Sequence, residues 1–394
     1  MPTVLHVLEA LCGGTARHLV DLVEWTHGVR HVVAVPRERQ GYFIDPDVMR
    51  RLEAAGAEIH RIDMRRLPIH PRNAVAMARL AALAGRVDAD VIHGHSGVGG
   101  ALARTVPTRA ARVYTPNGLH PARAAMWVER MLGPRTDRFV AVSHSEGDAM
   151  VGAGVASPEQ VAVIPNGVDV QLRPEPIDLH AMLGLSPGTP LIGTVARLDY
   201  QKAPEHHMDV FERVAIVAPE AHFVLIGDGP QSDEIDRRGA DGPLAGRYHR
   251  IARLPGAAGA LGSLRVFVLL SRYEGGPYAP LEAARAGVPL VLSDAVGNRD
   301  VVAGESGELV TFGDTGAAAA AVLRLLDDDV HRAEVSDRMR RRLRDVFSSD
   351  ANGSAHAALY TTLAATSRRG GVAVEPYGPS QPAPIKSRTR ASRG

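Results

Sequence analysis

The sequence contains one cysteine, Cys12, in 394 residues. A single thiol excludes internal disulfides and a metal site built from several thiolates. No stretch approaches the roughly 18 consecutive apolar residues typical of a membrane-spanning helix, and the chain opens on an apolar strand without a secretory leader. We therefore expect a cytoplasmic protein whose contact with a membrane is at most peripheral.

Lysine is also nearly absent, since Lys202 and Lys386 stand against 43 arginines. Lysine and arginine are not equivalent where a compact point charge is needed. Because Lys202 is the only lysine in the part expected to fold, it is a stronger functional candidate than an ordinary surface lysine. The formal net charge is +1, of which segment 367–394 carries +5, leaving −4 for the rest. That balance predicts no nucleic-acid groove.

The length of the chain predicts two domains. Short apolar strands alternate with helices over residues 1–170 and again over residues 185–349, which indicates an α/β fold with two doubly wound parallel sheets. The turn-rich stretch Pro165–Pro190 is the predicted linker. A helix over 350–366 is expected to pack back on the first domain. Segment 367–394, rich in Pro, Gly, Ser and Arg, is expected to be a disordered basic tail.

Two carboxylates, Glu274 and Glu282, flank one loop in the second half of the chain. The apolar strand Val266–Leu270 runs into a Glu-Gly-Gly-Pro277 sequence. Pro280 is the predicted start of a short helix, which would place Glu282 in the first helical turn. Both acids would then lie at the carboxyl end of a parallel strand, where open α/β sheets bind ligands. The alternative is a solvated loop acid and a helix-capping glutamate.

Cations and free backbone N–H groups are predicted in the same region. Arg197 and Lys202 follow a strand of this domain, five residues apart, and could grip a diphosphate. The N–H groups of Tyr278 and Ala279 at the helix start would suit a phosphate. In the opposite domain the Gly13-Gly14 loop can bring backbone close to a ligand. These features predict an anion-binding cleft between the two domains.

Together these stretches resemble the family 4 glycosyltransferases. Members of that family have the GT-B architecture, in which two Rossmann-like domains face each other across a cleft, and they usually retain the anomeric configuration of the sugar. The resemblance covers residues 1–366. It is carried by five motifs in the expected order, namely Gly13-Gly14, Pro165–Asp169, Ala196–Lys202, Gly227–Pro230 and Glu274–Glu282.

The resemblance implies a metal-independent enzyme that moves a hexose or N-acetylhexosamine from a nucleotide-sugar, preferably a UDP-sugar, to a hydroxyl acceptor. Such an acceptor would be a small metabolite, a natural-product precursor or a lipid-linked glycan, and no cofactor is implied. The catalytic residues implied are Arg197, Lys202 and Glu274. The donor-binding residues implied are Gly13, Gly14, Arg197, Lys202, Gly275, Gly276, Tyr278, Ala279 and Glu282.

The charge balance of such a reaction agrees with these roles. Cleaving a sugar–phosphate bond leaves a nucleoside diphosphate, whose added negative charge can be stabilised by preorganised cations and helix N-termini. The sequence has no Asp-x-Asp signature placed to bind a metal for this purpose. The resemblance implies that the acceptor attacks from the leaving-group face and that the departing phosphate takes its proton. Glu274 as a covalent nucleophile is the alternative.

One position departs from the family pattern. Many members carry a histidine within a Thr-Pro-His-Gly run after the strand at Val113, and here that position is Asn117. His120, three residues further on, either takes over a contact to the sugar or acceptor or is an ordinary surface histidine. Asn117 and His120 are therefore the candidate acceptor- and sugar-binding residues.

Two patterns suggest other kinds of site. His93 and His95 flank Gly94 beside a strand end, but no third metal ligand is evident in the sequence, which favours structural histidines and no metal. The run Gly97–Gly100 resembles part of a dinucleotide loop but lacks its full spacing and its ribose-binding acid. A two-domain NAD enzyme is thus one alternative hypothesis, and a non-catalytic nucleotide-sugar-binding subunit is another.

Two further patterns have structural explanations. A helix with Met126, Trp127 and Met131 could contact an acceptor or a membrane surface, but the helical spacing of these side chains favours core packing. Ser143-His144 with Glu146 suggests hydrolase chemistry, although no nucleophile-elbow pattern surrounds these residues. Neither pattern changes the predicted function.

Overall fold

The computed structural model describes residues 1–37, 45–65 and 70–369. The predicted basic tail lies outside the described residues, apart from the end of the last helix. The strands of the first sheet are β1 (Thr3–Val7), β2 (Arg30–Val35), β3 (Glu58–Arg61), β4 (Val91–His95), β5 (Ala111–Thr115), β6 (Arg138–Ala141) and β7 (Val161–Val163). The helices around it are α1 (Gly13–Trp25), α2 (Pro46–Ala54), α3 (Arg72–Arg86), α4 (Ser96–Thr105), α5 (Arg123–Leu132) and α6 (His144–Gly152).

The predicted linker contains one short helix, α7 (Leu179–Leu183), and leads to a second sheet. Its strands are β8 (Leu191–Val195), β9 (His222–Ile226), β10 (Tyr248–Ile251), β11 (Val266–Leu269), β12 (Leu290–Ser293) and β13 (Glu308–Val310). The later helices are α8 (Pro204–Val217), α9 (Ser232–Ala240), α10 (Tyr278–Arg285), α11 (Asn298–Val301), α12 (Thr315–Asp327), α13 (Asp329–Val346) and α14 (Ser349–Arg369). No described helix combines the length and the apolar character needed to cross a membrane.

The strand order fixes where each sheet can bind a ligand. The first sheet has the order β3-β2-β1-β4-β5-β6-β7 and the second β10-β9-β8-β11-β12-β13, and all paired strands are parallel. In the first sheet the chain adds strands on one side of β1 and then crosses to the other side with β4. In the second sheet it does the same around β8, crossing with β11. Crevices for ligands open at the carboxyl ends of strands at such switch points. The two doubly wound sheets predicted from the sequence are confirmed.

The strands are apolar because both faces of each sheet are covered. All five residues of β1 and all four of β11 are buried. The last helix, α14, crosses back to the first domain and packs against α1, where Tyr360 and Leu363 join the hydrophobic core. Gly353 lets the two helices approach closely, since a Cβ at that position would lie 2.1 Å from the Trp25 carbonyl oxygen.

The prediction of core packing is wrong for two residues of α5. Trp127 is 62% exposed and Met131 is 53% exposed, whereas Met126 packs partly buried against the core. The helix instead buries Glu129 and Leu132. Because Trp127 and Met131 are four residues apart, they share the opposite face of the helix.

Imidazole rings occupy the centre of the first domain. Six histidines are buried there, and the rings of neighbouring members lie 4.1 to 6.0 Å apart. They are His6, His18, His31, His93, His95 and His356. Burial lowers the pKa of all six, with repulsion from neighbouring histidines adding to the effect for most. The rings are therefore neutral at neutral pH, and each carries one N–H.

The hydrogen bonds set the tautomers of three of these rings. The Thr26 carbonyl can only accept, so His31 donates to it through Nε2 over 3.2 Å. His31 Nδ1 then accepts from His6 Nε2 over 3.0 Å, and His6 Nδ1 accepts from His95 Nε2 over 3.0 Å. These bonds form a row from Thr26 through His31 and His6 to His95. It ends at His95 Nδ1, which has no hydrogen-bond partner among the described residues.

We expect Gly353→Ala to destabilise the protein, although the same change in an ordinary helix stabilises it. The added methyl group would meet the backbone of α1, which cannot rotate away, at 2.1 Å. Overpacking of this kind costs about 1–3 kcal/mol. The urea midpoint of unfolding measures the effect. The control is Gly85→Ala in α3, where no heavy atom lies within 4 Å of the added Cβ and a gain of up to about 1 kcal/mol is expected. Equal midpoints for the two variants would contradict the close packing of α14.

We also expect the free energy of unfolding to fall steeply as the pH drops from about 6.5 towards 4. The pKa values of His18 and His356 are lowered to about 4 and about 3, so the unfolded chain binds protons that the folded chain excludes. Each such histidine contributes up to about 1.4 kcal/mol per pH unit. Urea unfolding at several pH values measures this slope.

Two variants test the origin of that slope. His356→Leu should make it shallower by about one proton, whereas His27→Gln, at an exposed position next to α1, should leave it unchanged. Burial raises the pKa of Glu146 to about 7 and also raises the pKa of Asp21. These two carboxyl groups have the opposite effect, but they are two groups against six histidines. A free energy of unfolding that is the same at pH 5 and pH 7 would show that the rings are not held neutral.

Candidate active site

The cleft between the two sheets is closed by contacts between their switch-point loops. The start of α1 lies against the start of α10, where a Cβ on Gly14 would be 3.9 Å from the Tyr278 ring. The loop after β5 lies against the loop after β11, with the Cβ position of Gly118 3.5 Å from the Gly275 nitrogen. The fold thus brings the Gly13-Gly14 loop and the two-carboxylate stretch into one cleft, as the sequence predicted.

Donors from the first domain hold the backbone of the loop after β11. Ser143 Oγ donates to the Gly275 carbonyl oxygen over 2.7 Å, and Asn166 Nδ2 donates to the Gly276 carbonyl oxygen over 2.7 Å. The loop therefore has fixed carbonyl groups, and the N–H groups of Gly275 and Gly276 are called open because no acceptor is found for them within the described part of the chain.

Lys202 and Glu274 come together, although they are far apart in the sequence. Lys202 Nζ lies 2.5 Å from Glu274 Oε1, and the two side chains are only 17% and 6% exposed. Lys202 follows β8 and Glu274 follows β11, which are neighbours in the sheet. Gln201 ties the two loops by donating to the Tyr273 carbonyl oxygen over 3.0 Å. The arrangement places one cation and one carboxylate at the same switch point.

Arg197 lies at the same edge but points outwards. Its side chain is 61% exposed and pairs with Asp199 Oδ2 at 2.7 Å, and it also donates to Gln201 Oε1 over 2.9 Å. An exposed ion pair contributes little to stability. Arg197 can therefore turn towards an anion at small cost.

The helix after the loop starts earlier than the sequence indicated. It begins at Tyr278 rather than at Pro280, and its first turn contains no acidic residue. Glu282 consequently lies in the second turn, and the predicted macrodipole contribution is wrong. Proline at the third helical position is tolerated because the first N–H groups of a helix have no intrahelical partner. The N–H groups of Tyr278 and Ala279 are at the helix start, as predicted, and Pro277 supplies no side-chain cap.

Arg17 is a candidate residue that the sequence analysis did not identify. Arg17, in α1 of the first domain, donates to Glu282 and to Asp21 over 3.2 Å, and its guanidinium lies 4.5 Å from the centre of the Tyr278 ring. Burial alone would lower the pKa of Arg17, but Glu282 and Asp21 more than offset this and raise it. A charged Arg17 thus covers Glu282 from the opposite domain. The only signal in the sequence was its position three residues after Gly14.

Asn117 and His120 both border the cleft. Asn117 and Gly118 have φ values of +58° and +105°, so the backbone turns sharply at the position where the resemblance implied a histidine. No partner is found for Asn117 Nδ2 within the described residues. His120 is exposed, and its ring lies 6.2 Å from that of Tyr273, the residue before Glu274. The structure places both residues next to the Glu274 loop.

The Glu146 carboxylate holds this turn through a hydrogen bond to its backbone. It accepts hydrogen bonds from the Gly118 N–H over 2.6 Å and from the Val142 N–H over 2.8 Å. Burial raises its pKa to about 7, while those two backbone N–H groups act in the opposite direction. Ser143 caps α6 and donates its proton to the other domain. These contacts explain the Ser143, His144 and Glu146 pattern without hydrolase chemistry.

Packing also explains the glycines that resemble a dinucleotide loop. Residues of the Gly97–Gly100 run lie inside α4. A Cβ at Gly99 would be 2.4 Å from the Val7 carbonyl oxygen, and one at Gly100 would be 2.1 Å from the Tyr114 ring. These glycines let α4 lie close to the sheet, which leaves no room for a pyrophosphate at Gly99 and Gly100.

The histidine cluster supplies the third neighbour that the sequence did not show. Ring nitrogens of His6, His93 and His95 lie within 4.8 Å of one another, a spacing that a transition metal could use. His6 and His95 share a hydrogen bond, however, and His93 bonds Tyr360 at 2.7 Å and Thr115 at 2.8 Å. Those contacts account for the rings as a neutral hydrogen-bonded core, and the absence of a metal stays a prediction.

Comparisons with known proteins agree with this architecture. A family model described as Glycosyltransferase Family 4 matches residues 12–172, and one described as Glycosyl transferases group 1 matches residues 189–328. The fold is similar to a crystal structure of Anabaena HepE in complex with UDP and glucose. That similarity has a TM-score of 0.78 and 19% identity, and it covers 92% of this chain and 100% of the other.

Proteins of similar sequence are named as glycosyltransferases. The UDP-Gal:alpha-D-GlcNAc-diphosphoundecaprenol alpha-1,3-galactosyltransferase of Escherichia coli is 28% identical over 260 residues, covering 61% of this chain and 67% of the relative. The GDP-mannose-dependent alpha-mannosyltransferase of Mycolicibacterium smegmatis is 30% identical over 268 residues, covering 63% and 68%. The chain belongs to glycosyltransferase family 4, and it is a glycosyltransferase with the GT-B fold.

Proposed function

We propose that the protein transfers a hexose or N-acetylhexosamine from a nucleotide-sugar to a hydroxyl acceptor, with retention of configuration and without a metal. The observation that carries this proposal is the meeting of Lys202, Glu274 and the N-terminus of α10 at one switch point, opposite the start of α1. No other cluster at the described strand ends combines a lysine, a buried carboxylate and open N–H groups.

The donor diphosphate fits between the two helix starts. Neither α1 nor α10 has a side-chain cap or an acidic residue in its first turn, so both present N–H groups to an anion. Gly13 has a φ of +70°, a conformation that glycine adopts without strain. Arg197 and Lys202 add two cations at the same edge. Together these groups can stabilise the charge that develops on the leaving diphosphate.

Glu274 and Glu282 have different surroundings and therefore different proposed roles. Glu274 is buried beside Lys202, next to the open N–H groups of Gly275 and Gly276, where the transferred sugar would lie. Glu282 is held by Arg17 and has a second oxygen left to accept from the ribose hydroxyls of the donor. A carboxylate can accept about four hydrogen bonds, so Arg17 and a ribose can share Glu282.

The proposed reaction needs no protein nucleophile. The acceptor oxygen bonds to the anomeric carbon as the bond from that carbon to the β-phosphate oxygen breaks, and the hydroxyl proton passes to that departing oxygen. The products are the glycoside and a nucleoside diphosphate. The ion pair with Lys202 makes Glu274 a weaker nucleophile, which favours this route over a covalent intermediate on Glu274.

The names of two relatives specify two different nucleotide-sugar donors. The name of the Escherichia coli relative specifies UDP-Gal and an acceptor linked to diphosphoundecaprenol, whereas that of the Mycolicibacterium smegmatis relative specifies GDP-mannose. We propose a UDP-sugar as the donor, because the solved structure of similar fold holds UDP and glucose. We propose that the acceptor is a hydroxyl group of a small metabolite, a natural-product precursor or a lipid-linked glycan.

Thermal unfolding with UDP, GDP, ADP and NAD tests the donor. A ligand present at 100 times its dissociation constant stabilises the folded state by about 2.7 kcal/mol. We expect UDP to raise the unfolding temperature and NAD to leave it unchanged. Stabilisation by GDP alone would correct the nucleotide and keep the enzyme class. Stabilisation by NAD, or by none of the four, would overturn the proposed site.

Two substitutions test the site itself. Lys202→Ala should lower the transfer rate by at least about a hundredfold, as the loss of a transition-state donor does, and should remove the stabilisation by UDP. Glu282→Ala should lower the transfer rate by about tenfold or more, because it removes a charged acceptor of the ribose hydroxyls. Release of nucleoside diphosphate from a sugar donor with a panel of acceptors measures transfer. The control is Arg237→Ala, since Arg237 is an exposed cation of α9 paired with Glu234. Full activity of either site variant, with normal circular dichroism, would contradict these roles.

A further inference from the structure

Two hydrogen bonds connect the buried histidine cluster of the first domain with the donor loop of the second. His18 Nδ1 lies 2.9 Å from Asn166 Oδ1, and Asn166 Nδ2 donates to the Gly276 carbonyl oxygen over 2.7 Å. His18 is 2% exposed and Asn166 is 3% exposed. The bond between His18 and Asn166 is buried, so water does not compete for it, whereas the bond from Asn166 to Gly276 is partly buried at the edge of the cleft.

The direction of each bond is determined by chemistry. A carbonyl oxygen can only accept, so the amide nitrogen of Asn166 must face Gly276 and its oxygen must face His18. His18 Nδ1 therefore carries the hydrogen. Burial lowers the pKa of His18 to about 4, with the bond to Asn166 acting in the opposite direction, so the ring is neutral and Nε2 carries none. The rings of His95 and His356 lie nearby, with centroids 5.5 and 6.0 Å from that of His18, but neither forms a hydrogen bond with it.

The hydrogen bonds from Ser143 and Asn166 to the two carbonyl groups determine the directions of the neighbouring N–H groups of the loop. In a trans peptide the C=O and N–H bonds point in opposite directions, and the structure contains no cis peptide among its described residues. Ser143 draws the Gly275 carbonyl towards the first domain, so the Gly276 N–H points away from it. The next peptide has no N–H because Pro277 follows. Asn166 thus sets the direction in which the chain enters α10, whose first N–H groups come next.

The space around the loop leaves it little freedom. A Cβ at Gly275 would lie 2.6 Å from the Gly118 nitrogen, and one at Gly276 would lie 2.9 Å from the Val142 carbonyl oxygen and 3.1 Å from Asn166 Nδ2. Only glycines fit so close to the other domain. The amide of Asn166 is consequently in contact with the backbone that it holds.

We propose that His18 is a positioning residue for glycosyl transfer, acting through Asn166 on the Gly276 carbonyl. It orients the amide of Asn166 so that the chain enters α10 with the N–H groups of Tyr278 and Ala279 facing the diphosphate. His18 touches no substrate itself. This role rests on the proposed function, because it assumes that the loop receives a nucleotide-sugar.

Kinetic measurements on four variants test this role. His18→Leu removes the N–H donor, and Asn166→Asp keeps an acceptor for His18 but replaces the donor to Gly276 by a carboxylate oxygen. Both should lower kcat/KM for the nucleotide-sugar by about tenfold or more, the size of one lost hydrogen bond. His18→Asn, whose amide N–H can take the place of Nδ1–H, should recover activity to within about threefold of the wild type.

His356→Leu is the matched control. His356 belongs to the same buried cluster, but its bond runs to the Asn352 carbonyl of its own helix at 3.0 Å. It should lower the unfolding temperature and leave kcat and KM unchanged in the protein that remains folded. If His18→Leu does not fold, Asn166→Asp carries the comparison.

The outcomes separate the inference from the proposed function. A wild-type protein that binds neither UDP nor GDP and transfers no sugar would refute the proposed function. An active wild type, with His18→Leu and Asn166→Asp kinetically equal to His356→Leu, would refute the positioning role alone. A loss of activity that His18→Asn fails to recover would refute the hydrogen-bonded route through Asn166.

Discussion

The site depends on how the first domain holds the carbonyl groups of Gly275 and Gly276. Ser143 and Asn166 bond these two oxygens, so the N–H groups that follow are oriented before a ligand arrives. Donors that are already in place stabilise developing charge without reorganising during the reaction. The contact also explains the local composition, because at Gly275 and Gly276 any larger residue would meet the backbone of the other domain. A loop of one domain therefore obtains its active shape from the other.

The neutral histidines extend that constraint into the core of the first domain. An apolar core would pack as densely, but it would not orient the amide of Asn166 towards Gly276. A buried polar network is costly unless its members are satisfied, and the row from Thr26 through His31 and His6 to His95 satisfies most of its nitrogens in turn. The same burial that makes the rings neutral makes the fold sensitive to acid. The hydrogen-bonded order beneath the site and the expected sensitivity to acid thus have one physical cause.

The sequence predicted the parallel sheets and the placement of Lys202 and Glu274 after strands that line one cleft, because strand periodicity and switch-point topology are local or general rules. It misplaced the start of α10, since proline suits the first helical position but is also tolerated at the third. It assigned Trp127 to the core, because spacing shows which residues share a face and not which face is covered. The contacts of Arg17 with Glu282 and of His18 with Asn166 join distant segments, and no spacing rule encodes such pairs. Tertiary packing decides them.

The charges of the cleft are paired within the protein, and this determines what a donor must do on entering it. Lys202 pairs with Glu274, and Arg17 pairs with Glu282, so the two domains can stay in contact without leaving a buried carboxylate uncompensated. A buried charge that loses its partner is strongly destabilising. A diphosphate must therefore share these cations with the carboxylates rather than displace them. Arg197, whose own partner is at the surface, can turn to the ligand at little cost. On the proposed function, Arg197 forms a new ion pair with the diphosphate when the donor binds. Lys202 and Arg17 keep the positions that their carboxylate partners already give them.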